Sequence, residues 1–204
     1  MKKKIYFITA TNTDVGKTYA SEQFLKKFAK KGQKVGYFKP IETGVSDAPL
    51  DGSKLLKVAK NLNPDFDFTI DEIVPYQFKL PAAPFVAKKK KPIQIDAIFS
   101  QTAKLLQKCD VLIIEGAGGL MVPILKNYFM INLIKDFQDK FDSKTILICS
   151  SVLGSINDTL LSQNALNQYN INYKWYINLH KDKKEFRKIT LPFYKEYFDK
   201  ISFL

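Results

Sequence analysis

Cysteine and histidine are both scarce in this chain of 204 residues, which has two cysteines and a single histidine, His180. Cys109 and Cys149 lie far apart and in no spacing typical of metal ligands. A disulfide framework or a zinc ribbon is therefore not expected. The single histidine also excludes most histidine-based metal sites, and a Ser-His-Asp triad would depend on this one residue.

Long hydrophobic runs are absent as well. The longest aliphatic run, residues 111–114, is far shorter than the roughly 20 apolar residues that span a bilayer. The apolar residues 5–10 follow a lysine run and superficially resemble a signal peptide, but they lead into a polar segment without a cleavage-type tail. We therefore expect a first β-strand there, a cytoplasmic location and no membrane partner.

Arginine is nearly missing, because Arg187 is the only one, although the net charge is +12 and the pI is about 9.5. An excess of basic over acidic residues can indicate a polyanionic partner. Arginine, however, is the usual residue for reading base edges and for bidentate phosphate contacts. We therefore expect no nucleic-acid partner. Most of the charge, including the lysine run at residues 88–91, is interpreted as solvated surface, with small phosphorylated ligands as the main alternative.

The remaining composition is typical of a globular chain, with 46% hydrophobic and 25% charged residues, and the length predicts one domain over residues 1–204. Short apolar segments alternate with segments of helical periodicity, which predicts an α/β fold with a mainly parallel sheet. Strands are predicted at residues 5–9, 35–38, 111–114, 145–149 and 174–177, and helices around 19–28 and at 50–61, 93–108, 132–141 and 156–169. Ligand-binding loops are then expected directly after strands.

The loop after the first predicted strand ends in Gly16-Lys17-Thr18, which matches the end of a P-loop. In such loops the backbone amides and the helix N-terminus point at phosphate oxygens. Lys17 would then hold the β- and γ-phosphates, and Thr18 would offer a hydroxyl to Mg²⁺. Thr11 stands where the general P-loop pattern has a glycine. The assignment of this segment as a P-loop therefore depends on its position between a predicted strand and a predicted helix.

Two further loops follow predicted strands. Residues 39–44 read Lys-Pro-Ile-Glu-Thr-Gly, and residues 115–119 read Glu-Gly-Ala-Gly-Gly. A carboxylate at the end of a buried strand is where P-loop proteins hold Mg²⁺, which makes Glu115 a candidate ligand. The glycines would let the backbone approach a ligand closely.

Taken together, these motifs resemble those of the dethiobiotin synthetase family, ATP-dependent carboxylases of biotin biosynthesis. The family's modified P-loop, its Lys-Pro-x-x-Ser/Thr-Gly and its Val-Glu-Gly-Ala-Gly-Gly are matched by residues 10–18, 39–44 and 114–119. Its Pro-Tyr-x-Phe, its Leu-Gly-x-Ile-Asn and a later asparagine are matched by residues 75–78, 153–157 and Asn178. The resemblance covers nearly the whole chain and implies a three-layer P-loop NTPase-like fold, with helices on both faces of the sheet.

The resemblance implies a reaction in which CO2 adds to one amine of 7,8-diaminopelargonate to give a carbamate. A carbamate oxygen would attack the γ-phosphate of ATP, and the second amine would close the cyclic urea and release phosphate. ATP would be the co-substrate and Mg²⁺ the metal. Because this is phosphoryl transfer, catalysis would consist mainly of positioning and charge neutralisation.

The resemblance also implies roles for individual residues. The catalytic residues would be Lys17, Lys39 and Thr13, and the Mg²⁺ ligands Thr18, Asp51 and Glu115. ATP would be bound by Asn12, Thr13, Asp14, Val15, Gly16, Lys17, Thr18, Tyr19, Glu115, Gly116, Asn178 and Pro192. Substrate would be bound by Thr13, Lys39, Thr43, Gly118, Gly154, Ser155, Ile156 and Asn157. The last four would open a helix of the second subunit in a homodimer and would receive the substrate carboxylate at its N-terminus.

The chain departs from the family pattern at three places. Ala10 replaces the first glycine of the P-loop. The family's acidic Mg²⁺ ligand follows a serine, where this chain has Ser53-Lys54, so Asp51, one helical turn earlier, is the proposed replacement. Leu191-Pro192-Phe193 resembles the family's Ile-Pro-Trp turn near the base, but few residues follow it, which leaves the base selectivity open.

Three other functions compete with this hypothesis. A P-loop ATPase of the partition or nitrogenase-reductase type would share the fold, but those proteins normally carry a second lysine early in the loop, where this chain has residues 11–13. A related ATP-dependent amide-forming synthetase of cofactor biosynthesis is the second alternative. The third, a basic nucleic-acid-binding protein, lacks the arginines and the aromatic-basic pattern that such proteins show.

Overall fold

The computed structural model describes residues 3–179 and 183–204, so His180 lies outside the described residues. Its central sheet has five strands in the order β2-β5-β1-β8-β9, and all neighbouring pairs are parallel. These strands are β1 (Lys4–Ala10), β2 (Val35–Phe38), β5 (Val111–Gly119), β8 (Lys144–Cys149) and β9 (Tyr173–Ile177). Their near-continuous apolar stretches are buried, as in sheets that are covered on both faces.

The longer helices cover both faces of this sheet. They are α1 (Lys17–Ala29), α2 (Leu50–Leu62), α5 (Ile95–Leu106), α6 (Met130–Phe141) and α7 (Ser155–Gln168). Successive residues of a strand point to opposite faces. On β1, Tyr6 stacks on Phe28 of α1, whereas Phe7 packs against Phe137 of α6. Helices α1 and α6 therefore lie on opposite faces, which confirms the predicted three-layer α/β fold.

Shorter elements surround this frame. The remaining strands are β3 (Ile41–Thr43), β4 (Tyr76–Phe78), β6 (Pro123–Leu125) and β7 (Tyr128–Phe129). β3 pairs with β4 in parallel, and β6 pairs with β7 in an antiparallel hairpin. The remaining helical segments are α3 (Ile70–Ile73), α4 (Pro84–Ala87), α8 (Lys183–Glu185), a π-helical turn (Phe186–Thr190) and α9 (Leu191–Tyr197). In the part of the chain that the structure describes, none of the helices has the length and apolarity to cross a membrane.

The predicted strands and the long helices are confirmed, with three corrections. Residues 41–43 of the loop predicted at 39–44 form β3, which pairs with β4. The helix predicted at 93–108 spans only 95–106. The segment predicted as a loop at 115–119 belongs to β5, because Glu115 and Gly119 remain paired with Ile8 and Ala10 of β1. A shift in register between these two pairs accommodates the glycines. The segment that carries the candidate carboxylate Glu115 is therefore part of a central strand of the sheet.

Candidate active site

A cleft of about 560 Å³ opens at the carboxyl ends of β1, β2 and β5, where a parallel α/β sheet binds its ligands. Its walls come from the P-loop, from the segment after β2, from the first turn of α2 and from the end of β5. The structure thus brings the three predicted loops to one place. Among the predicted residues, the cleft lining includes Thr13, Asp14, Gly16, Lys17, Thr18, Lys39, Thr43, Asp51, Glu115, Gly116 and Gly118.

The P-loop is held in a conformation that depends on Gly16. Gly16 has a φ of 99°, in the left-handed region, directly before α1 begins at Lys17. Asn178, which follows β9, donates a hydrogen bond from Nδ2 to the carbonyl of Val15 at 2.9 Å. A Cβ atom at Gly16 would collide with that same amide group. Glycine is therefore required here for both backbone conformation and space.

Lys17 projects from the start of α1 into the cleft and is only 8% exposed. Its Nζ donates to the carbonyl of Asn12 at 3.1 Å. Burial lowers the pKa of Lys17 to about 8, although the nearby carboxylate of Glu115 opposes this shift. A polyanion in the cleft would favour the charged form of this lysine, as expected for a phosphate-binding residue.

Glu115 lies at the bottom of the cleft and is fully buried. Its carboxylate accepts hydrogen bonds from Thr18 Oγ1 at 3.0 Å, Ser21 Oγ at 2.8 Å, Tyr37 OH at 3.2 Å and Lys39 Nζ at 2.7 Å. A buried carboxylate is tolerated when it is paired and hydrogen-bonded in this way. The position and orientation of Glu115 are therefore fixed from three directions, by α1, by β2 and by the segment after β2.

Lys39 joins Glu115 to Asp51. Its Nζ lies 2.9 Å from Asp51 Oδ2 and 2.7 Å from Glu115 Oε1, and the lysine is 4% exposed. Burial alone would lower the pKa of Lys39, but the two carboxylates outweigh burial and raise it above the ordinary lysine value. Burial would likewise raise the pKa of Asp51, but Lys39 holds that pKa below its usual range. The lysine is thus charged while it lies between two anionic groups.

The donor set at this point fits Mg²⁺. Thr18, Asp51 and Glu115 supply only oxygen atoms, which Mg²⁺ prefers, and Thr18 contacts Glu115 directly. Among the described residues, no group of three or more His, Cys, Asp or Glu side chains could hold a metal. Two carboxylates and a hydroxyl match the usual arrangement for Mg²⁺, which keeps several waters and takes further ligands from substrate phosphates.

Three residues of the site were missed by sequence reasoning. Ser21 and Tyr37 hydrogen-bond Glu115, and Glu42 accepts from the backbone amides of Asp51 and Gly52 at 3.1 and 3.0 Å. Periodicity could have found two of them, because Ser21 lies one helical turn after Lys17 and Tyr37 lies on the same strand face as Lys39. Glu42 stands inside the second motif, but the sequence does not reveal that it contacts α2.

The other predicted substrate contacts are placed as follows. Gly118 has a φ of 68°, and a Cβ atom there would lie 2.6 Å from Val122, so only glycine fits. Thr13 and Thr43 both line the cleft. Tyr19 lies on the exposed side of α1, 45% exposed. Tyr19 is not part of the cleft lining, so we expect it to contact ATP only outside the cleft.

Residues 154–157 form the start of α7, away from the lining of the cleft in the same chain. Gly154 has a φ of 91°, and Ser155 is buried with no hydrogen-bond partner for its Oγ. Ile156 is partly buried and Asn157 is exposed. This placement is compatible with the expectation that these residues serve the cleft of another subunit.

The turn predicted at residues 191–193 is wrong. These residues begin α9, and Pro192 fits the first turn of that helix because the amide of that position needs no partner. Helix α9 packs on α7, where Tyr194 OH lies 3.1 Å from the carbonyl of Ser155. Residues 202–204 instead lie beside Ile177, which donates to the carbonyl of Ser202 at 2.8 Å and accepts from the amide of Leu204 at 3.0 Å. The segment next to Asn178 is therefore this later one.

Known proteins are similar to this chain over most of its length. A family model described as "AAA domain" matches residues 4–190. An ATP-dependent dethiobiotin synthetase BioD from Sulfurovum sp. (strain NBC37-1) is 47% identical over 94% of this chain and 90% of its own length. The protein of the same name from Wolinella succinogenes is 37% identical over 95% of this chain and 89% of its own length.

Solved structures support the fold alone, because their sequences are distant. A plasmid partition protein from Borrelia burgdorferi has a TM-score of 0.59 at 16% identity, over 100% of this chain and 90% of that protein. The MinD cell division protein of Aquifex aeolicus has a TM-score of 0.52 at 20% identity, over 91% of this chain and 73% of that protein. The fold of this chain is therefore shared with a plasmid partition protein and a cell division protein.

Proposed function

This chain belongs to the ATP-dependent dethiobiotin synthetase family, and from that premise we propose how its residues perform the reaction. The enzyme is an ATP-dependent ligase of biotin biosynthesis that carboxylates 7,8-diaminopelargonate and closes its ring to dethiobiotin. The observation that carries the mechanism is the convergence of Lys17 and Lys39, from two different loops, on the cleft that Glu115 closes from below.

The proposed sequence of steps starts with a carbamate. CO2 adds to one substrate amine, which loses a proton, and one carbamate oxygen then attacks the γ-phosphorus of ATP. The bond from this phosphorus to the bridging oxygen breaks, and ADP leaves. The second amine attacks the carbonyl carbon of the resulting carbamic-phosphoric anhydride and loses a proton, while phosphate departs and the cyclic urea remains. No redox step is needed.

Residue roles follow from charge and position. Lys17 and the amides of residues 12–19 hold the ATP phosphates, and Lys39 stabilises the carbamate and the phosphoryl group in transfer. Thr13, Thr43 and the backbone of Gly118 orient the carbamate and the diamine. We assign Gly116 and Asn178 to the nucleotide, as the family resemblance implies. Pro192 is not assigned to it, because it lies in the first turn of α9.

We propose that Thr18, Asp51 and Glu115 hold Mg²⁺. When bound, this ion neutralises charge on the β- and γ-phosphate oxygens. Hydrogen bonds from Ser21 and Tyr37 hold Glu115 in its place. Lys39 lies next to both carboxylates, so this ammonium group and the metal-binding oxygens face the same part of the cleft.

The direct test of this function is mass detection of dethiobiotin after incubation with 7,8-diaminopelargonate, bicarbonate and Mg-ATP. ATP hydrolysis should rise only when diamine and bicarbonate are both present. An ATP hydrolysis rate that is the same with and without diamine and bicarbonate would instead favour a nucleotide switch of the partition type.

Asp51→Asn is expected to raise the Mg²⁺ concentration needed for half-maximal activity by at least about tenfold, because a hard anionic ligand is lost. Asp47→Asn is the matched control, since Asp47 is an exposed acid of the segment before α2. Magnesium titrations of both variants at fixed ATP check this. Equal and negligible shifts would show that the enzyme works without a carboxylate at position 51.

We propose a homodimer in which residues 154–157 of one subunit receive the substrate carboxylate bound by the other. Large apolar side chains are exposed beside this helix start, with Leu153 80%, Leu161 61% and Met121 55% exposed. A groove between Met121 and Leu161 continues to Thr11 of the P-loop. An apolar surface next to the cleft supports association of two copies there.

Leu161→Asp is expected to shift the enzyme to monomers and to raise KM for the diamine at least about tenfold, because the contact with the carboxylate is lost. ATP affinity should change little. Val86→Asp is the control, since Val86 is similarly exposed on α4. Light scattering and diamine titrations decide the matter, and a Leu161→Asp dimer with unchanged KM would contradict the proposed interface.

Base selectivity is expected to be loose. Asn178 is in place to read the base, but its Nδ2 already donates to the P-loop at Val15. Lys17 and the loop amides bind phosphates whatever the base. GTP and CTP should therefore support synthesis within roughly tenfold of ATP, about 1.4 kcal/mol. Parallel kcat/KM measurements check this, and an ATP preference above roughly a hundredfold would refute it.

Two broader expectations stay proposals. We propose a cytoplasmic location. We also propose that residues 1–204 form one domain, which is supported by the single hydrophobic core of the described residues, from Ile5 to Tyr194.

A further inference from the structure

We propose that Glu42 is a positioning residue of this enzyme, which holds the first turn of α2 and thereby directs the Asp51 carboxylate into the cleft. The inference rests on the proposed role of Asp51 as a Mg²⁺ ligand. Glu42 is not among the residues that the family motifs point to, and neither periodicity nor charge pattern singles it out.

The contacts of Glu42 are unusual for a glutamate on a strand. It lies in the middle of β3, opposite Gln77 of β4, and is 7% exposed. Its Oε1 accepts from the amide of Asp51 at 3.1 Å and its Oε2 from the amide of Gly52 at 3.0 Å. One carboxylate thus satisfies two of the amides that a helix leaves unpaired at its N-terminus.

Helix α2 needs this distant acceptor because its own sequence provides none. The residue before its first turn is Pro49, which makes no side-chain cap. Serine, threonine, aspartate or asparagine would normally fill that position. A negative charge at the N-terminus also interacts favourably with the helix dipole. Glu42 supplies both the acceptor and the charge from a separate strand.

Gly52 makes this contact possible. A Cβ atom at this position would collide with Val74 Cγ2 and would lie 3.2 Å from Glu42 Oε2. The start of α2 therefore sits closely against β3 and the segment after α3, with the glutamate between them. A closely packed helix start has little freedom to move.

Asp51 gains its orientation from this packing. Its side chain is 46% exposed and contacts Lys39 and Thr18, so the position of its backbone in the first helical turn decides where the carboxylate lies. With its backbone amide bound to Glu42, the carboxylate faces Lys39 Nζ at 2.9 Å, and Lys39 in turn faces Glu115 at 2.7 Å. Glu42 lines the cleft, but both of its oxygens are directed at the amides of the α2 start, which is why we assign its effect to Asp51.

The test compares Glu42→Gln with Glu72→Gln. Glu72 also accepts from a backbone amide at a helix start, that of Thr69 at 2.9 Å beside α3, and it lies outside the cleft lining. The readouts are the melting temperature and the Mg²⁺ concentration at half-maximal ATP binding, measured by calorimetry without diamine. Both variants should melt earlier, but only Glu42→Gln should raise the Mg²⁺ midpoint, by about tenfold.

A second comparison isolates the route through Asp51. In an Asp51→Asn background, Glu42→Gln should add almost nothing to the Mg²⁺ midpoint, because the carboxylate that it directs is gone. Lower melting temperature with an unchanged midpoint would reduce Glu42 to a structural cap and overturn the proposal. An undiminished effect in the Asp51→Asn background would overturn it too. Failure of the wild-type enzyme to form dethiobiotin would instead refute the proposed function, since these binding measurements need no turnover.

Discussion

Lys17→Ala is expected to abolish dethiobiotin synthesis, with kcat/KM reduced on the order of a hundredfold or more. Lys17 is the P-loop cation that lines the cleft, and it lies at the start of α1 with 8% exposure. The other lysine of the lining, Lys39, is held by Asp51 and Glu115 and cannot move to the P-loop position that Lys17 occupies. The transition state would therefore lose a charge that nothing replaces.

Steady-state kinetics with varied ATP measure this loss. Lys30→Ala is the control, because Lys30 caps the opposite end of the same helix and is exposed. The control should retain full activity. A Lys17→Ala enzyme within a few-fold of wild type would contradict the P-loop assignment.

Lys39→Met is expected to damage both stability and catalysis. Without the ammonium, Glu115 remains fully buried with only the hydroxyl donors of Thr18, Ser21 and Tyr37. Removal of one partner from a buried ion pair costs about 3–5 kcal/mol in free energy of unfolding. The turnover number should also fall on the order of a hundredfold or more, because the carbamate and the phosphoryl group lose a cation that stabilises them.

A double variant separates the two effects. Lys39→Met combined with Glu115→Gln removes the unpaired charge and should recover much of the free energy of unfolding in urea titrations. It should recover no activity, since both the cation and a metal-binding carboxylate are missing. A stable and active Lys39→Met enzyme would show that the lysine has neither role.

The strands and long helices can be predicted well from the sequence because they depend on local hydrophobic patterns. Apolar runs such as 111–114 and 145–149 are typical of strands buried on both faces, and the spacing of Phe24 and Phe28 suits the buried side of a helix. The loops that follow those strands then meet at one sheet edge. This is why Lys17, Lys39 and Glu115 could be grouped before any contact was known.

The features that could not be predicted from the sequence depend on contacts between distant segments. The glycines after Glu115 suggest a loop, but pairing with β1 extends the strand to Gly119. Glu42 reaches the amides of α2 only because β3 and the helix start fold against each other. The resemblance of residues 191–193 to a turn also fails, because packing on α7 makes them helical.

The central claim is that an oxygen of the carbamate attacks the γ-phosphate of ATP in the cleft between Lys17 and Lys39. The most direct measurement is a short incubation of enzyme, diamine and Mg-ATP with ¹⁸O-labelled bicarbonate, followed by mass analysis of phosphate and dethiobiotin. We expect one ¹⁸O atom in each phosphate that is released together with dethiobiotin. Dethiobiotin formed alongside phosphate that carries no label from bicarbonate would contradict it.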